Sequence, residues 1–177
     1  MEEHRKQFHY CVTAATPSAR LEDIMTDNIP NNAHAAHDAP PRTIRQAQQL
    51  LQEATVMEFA TMDQRGFPNI VALTPLTLDR SLKHVLFYTD RDTTTIRNIA
   101  ESPKASIYCF NERHHCSLGL QGYAGLISRD EVQDKYRADL TAYQQALAYT
   151  HPVFLRFTTI FVKVRYQDNV TFQKLLN

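Results

Sequence analysis

VLFYTDRDTTTIRNIAESPKASIYCF, residues 85–110, decides how the rest of the chain is read. Its first six residues are β-branched, aromatic or apolar until Asp90, which suits a buried strand. Asp90, Arg91 and Asp92 break the apolar run. Thr93, Thr94 and Thr95 follow, and a threonine hydroxyl can accept from the unpaired amides of a helix's first turn. Ile96 and Ile99 stand three apart, on one face of a short helix. Pro103 stops it, because the residue before a proline is pushed out of the helical region. Residues 105–110 return to a strand pattern. The unit is strand, hydroxyl-rich turn, short helix, strand. A helix start with free amides and nearby hydroxyls can hold an anion. The plain alternative is a helix cap with solvent-facing neighbours.

Upstream, Ile44, Ala47, Leu50 and Leu51 fall at helical spacing, so residues 43–53 are expected to form a helix capped by Thr43. Residues 55–62 read as a strand, residues 63–66 as a hairpin turn with Gly66 free for positive φ, and residues 69–78 as the return strand, interrupted at Pro75. Residues 78–82 form another turn. Downstream, residues 117–128 read as a strand eased by Gly119, Gly122 and Gly125. Ser128 and Glu131 have capping-box spacing ahead of a helix expected over 130–148, with Val132, Tyr136, Leu140, Tyr143 and Leu147 as its apolar stripe. Residues 158–166 form a last strong strand, and residues 171–176 could add a turn of helix. Hairpin-joined strands dominate, with helices outside the meander. That favours a mainly β fold, an antiparallel barrel with added helices. Residues 1–42 carry turn formers and no sustained period; they are expected to be an extension, loosely ordered or lying on a partner, ahead of a single domain at 43–177. His34 and His37 lie in that extension without further ligands nearby.

The chain has 177 residues and a formal net charge of +0, which argues against a broad nucleic-acid footprint. Cys11, Cys109 and Cys116 are odd in number and irregularly spaced, as expected of free thiols in a reducing compartment. No stretch approaches the ~20 apolar residues of a membrane helix, and the acidic start is unlike a secretory signal. A cytoplasmic protein without membrane contact is expected.

Ala60-Thr61-Met62-Asp63 with Gly66-Phe67-Pro68, Phe87-Tyr88-Thr89-Asp90, Asn98-Ile99 through Ser102-Pro103-Lys104-Ala105-Ser106, and Gly122-Tyr123-Ala124 together resemble the pyridoxamine 5′-phosphate oxidase-like split barrel, most closely its general-stress-protein branch. The resemblance covers about residues 43–166. It implies a six-stranded antiparallel split β-barrel, a homodimer, and FMN bound at the dimer interface. By the same resemblance Ile70, Val71, Ala72 and Leu73 would line the isoalloxazine with backbone. Thr89 would close the next strand, and Thr93, Thr94 and Thr95 would hold the phosphate. Ser117 would lie close to the partner's cofactor.

By the same resemblance a Ser-Arg-Lys-like turn falls on Thr93, Thr94 and Thr95 and an arginine falls at or near Val71, so this chain lacks the family's basic residues there. Charge-assisted bonds are worth about 1.5–3 kcal/mol each against roughly 1 for neutral ones, so losing two weakens phosphate binding severely. Arg91 and Arg97 flank the turn and could substitute. Arg91 is favoured, since Arg97 lies a turn further on. The resemblance thus implies an FMN-dependent oxidoreductase acting on a small substrate. The alternatives are a non-enzymatic flavin- or ligand-binding stress-type dimer and a haem- or metal-handling protein using His114, His115 and Cys116. On a strand only His114 and Cys116 would share a face, so no metal site is assigned. No Ser-His-Asp order or paired carboxylates suggest protein-borne catalysis, and a flavin enzyme needs none.

Overall fold

The computed structural model describes residues 41–175, with side chains from Thr43 onward. Residues 1–40 of the extension, with His34 and His37, and the last two residues of the chain lie outside the described residues. Helix α1 (Pro41–Glu53) begins two residues earlier than expected, so Thr43 sits within it and is not its cap. Its Ala47, Leu50 and Leu51 are buried against the barrel. Strands β1 (Met57–Met62) and β2 (Pro68–Leu73) form the expected hairpin. In its turn the Asp63 carboxylate accepts from the amides of Arg65 (2.9 Å) and Phe67 (2.8 Å), and Gly66 takes φ 82°. Strand β3 (His84–Asp90), helix α2 (Thr94–Glu101) and strand β4 (Lys104–Asn111) reproduce the strand–helix–strand unit of residues 85–110.

Strand β5 (Cys116–Leu126) leads into a 3-10 turn (Arg129–Glu131) and two short helices, α3 (Asp134–Ala138) and α4 (Ala142–Ala146). The single helix expected over 130–148 is therefore absent. The Ser128–Glu131 capping box forms, but it opens only the 3-10 turn. Asp139 ends α3 and turns its carboxylate to the amides of Thr77 (2.7 Å) and Leu78 (2.9 Å), while Thr141 and Gln144 build a new capping box that restarts the chain as α4. The long-range bonds of Asp139 and the local Thr141–Gln144 box together replace helix continuation. Of the expected stripe, Tyr136 is buried and Val132 and Leu140 pack beside it, whereas Tyr143 is exposed.

Strand β6 (Pro152–Tyr166) starts six residues earlier than expected, and the tail is strand β7 (Asn169–Lys174), not helix. Antiparallel pairing runs β2-β1-β4-β5-β6-β3, with β7 on the far half of β6. The path closes through a lone bridge, Pro75 to Phe87, with the Leu76 amide donating to the Leu86 carbonyl at 2.8 Å. The result is the six-stranded split barrel. The interior holds Met57, Phe59, Val85, Phe87, Leu155 and Phe157, with Phe59 edge-on to both Phe87 and Phe157. A second cluster, Leu76, Leu86, Ile127, Tyr136 and Phe154, forms where the 3-10 turn and α3 cover β3 and the start of β6.

Candidate functional site

Strand β2 bonds to β1 along one edge only. Beyond the Pro75–Phe87 bridge, the same register would set Leu73 against Thr89 and Val71 against Arg91. No such pairing occurs among the described residues. The facing edges of β2 and β3 separate there, leaving backbone N–H and C=O groups of residues 68–73 without a ladder partner. Such groups need a partner from water or a ligand. Ile70 and Ala72 point outward, with Ile70 62 % exposed, while Val71 and Leu73 pack against the barrel core. Asn69, next along β2, carries a buried Nδ2 with no hydrogen-bond partner among the described residues.

The seam leads to the start of α2. Thr93 is the cap: its hydroxyl donates to the Asp90 carbonyl (3.0 Å) and accepts from the Ile96 amide (3.4 Å). The Arg97 amide goes to the Thr93 carbonyl, leaving the Thr94 and Thr95 amides without partners among the described residues. Thr94 is exposed and its hydroxyl accepts from Arg97 Nη2 at 3.0 Å. Thr95 and Thr89 are buried instead, at 4 % and 3 %. Behind them Asn98 Nδ2 donates to Thr61 Oγ1 at 2.9 Å, fixing α2 across the barrel end.

The two flanking arginines divide differently from expectation. Arg97 reaches the threonine corner, and Arg91 lines a separate groove under the 3-10 turn and α3. Two carboxylates also stand beside the corner. Asp90 is held below the usual carboxylate range by the amides of Asp92 and His151, and Asp92 Oδ2 lies 2.7 Å from His151 Nδ1. Asp90, Asp92 and His151 form the one group of three potential metal ligands among the described residues. His114 and His115 are exposed in the β4–β5 turn, where His115 takes φ 47°, while Cys116 is buried with its thiol pushed up by burial and then by Glu53. These three do not converge. Ser117, buried on β5, faces Phe110 on β4 and Arg165 on β6.

The outer face of the sheet is unusually aromatic. Tyr108, Phe110, Tyr123, Phe161 and Phe172 are 45–63 % exposed on it, and an open groove of about 430 Å³ runs between β1, β4, β5 and β6. Its lining includes Thr61, Lys104, Tyr123 and Phe161, at the end of α2 opposite the threonines.

Residues 43–167 match the family model described as pyridoxamine 5′-phosphate oxidase. The chain belongs to that family. The family is an FMN-binding split-barrel family, and solved structures of its members share this fold. A protein from Clostridium acetobutylicum related to general stress protein 26 is 17 % identical, with a TM-score of 0.65 over 77 % of this chain and 97 % of that one. A pyridoxamine 5′-phosphate oxidase-related, FMN-binding protein from Nostoc punctiforme is 13 % identical, with a TM-score of 0.55 over 79 % and 100 %. A haem-binding protein from Mycobacterium smegmatis is 19 % identical, with a TM-score of 0.56 over 75 % of this chain and 55 % of that one. At these identities the likeness is one of fold. No protein of curated function matches the sequence.

The family's flavin can be tested against the residues present. The unpaired β2 edge, the orphaned Asn69 Nδ2 and the two free α2 amides suit a planar ring compound with polar edges and a terminal anion. Sequence inspection missed two features here. One is the Asp90–Asp92–His151 cluster, of which only the Asp-x-Asp spacing was visible. The other is Arg80, whose guanidinium donates to the carbonyls of Leu51, Gln52, Ala54, Pro75 and Leu76 and so ties the end of α1 to the barrel-closing crossing.

Proposed function

We propose that this chain binds FMN as a homodimer and serves as an FMN-dependent oxidoreductase acting on a small-molecule substrate. The observation that carries this is the open seam between β2 and β3, which ends at the two unpartnered amides of α2. When bound, FMN supplies the hydride and electron chemistry. In this proposal the β2 backbone, with Asn69, orients the ring by its polar edge. The Thr94 and Thr95 amides, the Thr94 hydroxyl and Arg97 hold the phosphate. The aromatic outer face, too apolar to leave wet, is the surface on which a second copy packs, with Ser117 toward the partner's cofactor. Buried, unbonded Cys109 and Cys116 fit a reducing, cytoplasmic setting.

A second reading rests on the phosphate end. One guanidinium serves the corner, and Asp90 and Asp92 stand beside it. That balance favours weak retention and a ligand-binding protein without turnover.

The test is the absorption spectrum of the purified protein together with titration of the apo-protein by flavin fluorescence and sedimentation of both forms. Flavin bands or saturable quenching in a dimer support the proposal. Reduction of the bound flavin by a nicotinamide donor distinguishes turnover from storage. A monomer that leaves FMN fluorescence unchanged at millimolar protein would refute both.

A further inference from the structure

A groove of about 850 Å³ lies between the second hydrophobic cluster and the 3-10 turn with α3. Its floor is apolar: Tyr88 and Phe154, with ring centroids 5.4 Å apart, flanked by Leu126, which is 42 % exposed. Its rim carries Arg91, Arg129 and Arg137. These arginines come from three different stretches of chain. None makes an ion pair or a side-chain hydrogen bond among the described residues, although most other basic groups nearby are engaged. His151 on the same rim is paired with Asp92. Two carboxylates also line the groove. Glu131 is already committed to the Ser128 amide and hydroxyl and lies 3.7 Å from Arg156. Of the two lining carboxylates only Asp134 is left to oppose three guanidinium groups, with Asp92 held beyond the rim on His151. An apolar floor under convergent, unpaired polar groups is the usual build of a small-ligand site, and the volume falls in the usual range.

We propose that this groove binds a small organic anion with an apolar or aromatic body, its carboxylate, sulfonate or phosphate held by Arg129 and Arg137 with Arg91 behind. Planar guanidinium groups match such oxyanions in two-point contacts. The site lies within one protomer and shares no residue with the β2 edge, Thr94 or Arg97. It therefore stands or falls separately from flavin binding.

Phenyl phosphate is a suitable probe, titrated calorimetrically into the full chain, with inorganic phosphate and phenol as comparisons. The expected result is saturable binding of phenyl phosphate, at least about tenfold tighter than either comparison. The double variant R129A/R137A should weaken it about tenfold or more. L126E, at an exposed floor position where folding is undisturbed, should abolish it. FMN titration should be unaffected in both variants. Three results would overturn the proposal: no binding by the wild-type chain, equal affinity for inorganic phosphate, or competition between phenyl phosphate and FMN for one site.

Discussion

Replacing Arg80 with alanine should loosen the crossing that closes the barrel beside the open β2–β3 seam. The half-buried guanidinium donates to Leu76 O at 2.8 Å, Ala54 O at 3.0 Å and Pro75 O at 3.0 Å, with longer bonds to Gln52 O (3.2 Å) and Leu51 O (3.3 Å). Two of these acceptors are last-turn carbonyls of α1, which have no partner within the helix. Two more belong to residues 75 and 76, where β2's continuation touches β3. Burial lowers the Arg80 pKa, so part of the bonding offsets the cost of removing the charge from water. Counting the three short bonds at ~1–1.5 kcal/mol each and subtracting that cost leaves about 2–3 kcal/mol. For a domain of this size that is a fall in Tm of about 6–12 °C. Thermal denaturation by circular dichroism measures it. Arg80→Lys keeps the charge but not the planar fork, and should recover less than half of the loss. FMN affinity should fall in both variants, measured below their melting range. A Tm within about 2 °C of wild type for Arg80→Ala, or full recovery by lysine, would show that the carbonyl cage does not hold the crossing.

Other outcomes follow from individual sites. Thr94→Arg adds a charge at the exposed corner and should tighten FMN binding about 2- to 30-fold, the gap between neutral and charge-assisted bonds; unchanged flavin quenching would move the phosphate elsewhere. Gly122→Ala should destabilise by about 3 kcal/mol or more, because the added Cβ would lie 1.9 Å from the Thr158 carbonyl oxygen; a near-native melt would contradict the bulge between β5 and β6. Burial raises the Asp139 pKa, but bonds from Leu78 and Thr77 outweigh it and leave the group below its ordinary 3.8. Its stabilisation is thus complete above about pH 4 and lost as pH falls through the depressed folded value. Asp139→Asn should remove that acid-side slope from denaturation curves and cost ~1–2 kcal/mol at neutral pH. Burial, followed by Glu58, pushes the Cys109 thiol up to about 11, so iodoacetamide at pH 8 should leave it unmodified in the native protein, read by peptide mass spectrometry.

Local chemistry made much of the barrel legible. Asp63-Gln64-Arg65-Gly66 carries its own turn signal, and the Thr93 cap with Ile96 and Ile99 fixes α2 within a few residues. The expected helix over 130–148 failed because its pattern was apolar enough, while the bonds that cut it are long-range. Asp139 reaches Thr77 and Leu78, 62 and 61 residues away, and Gln144 reaches the Thr74 carbonyl. Strand β7 went unseen because its apolar residues, Val170 and Phe172, sit on the exposed face while Thr171 and Gln173 take the half-buried one, the reverse of the usual pattern. The residues proposed for the site could be named from the sequence, but their geometry could not. An unpaired strand edge leaves no trace in side-chain pattern, and the preference for Arg91 over Arg97 came from distance along the chain. In the fold Arg97 bends back over its own first turn to Thr94.

That exchange of arginines bears on what the corner can hold. A phosphate dianion at α2 would meet two amides, one hydroxyl and one guanidinium that already has a partner. Asp92 is tied to His151 by a short exposed pair, and Asp90 has both carboxylate oxygens on backbone amides. Asp90 is held below the usual carboxylate range by the amides of Asp92 and His151 and keeps its charge, so the field of this acidic pair opposes an incoming anion, weakly through water and more strongly as the seam fills. Removing one of those charges would remove part of that opposition. Flavin affinity should therefore rise in Asp92→Asn, which keeps the size and polar character of the side chain at the corner but carries no charge. Fluorescence titration of the two proteins at one pH and ionic strength reads this directly. An affinity unchanged in Asp92→Asn would mean that the acidic pair is too well screened to reach the phosphate, and the weak grip inferred here would then rest on the missing basic ligands alone.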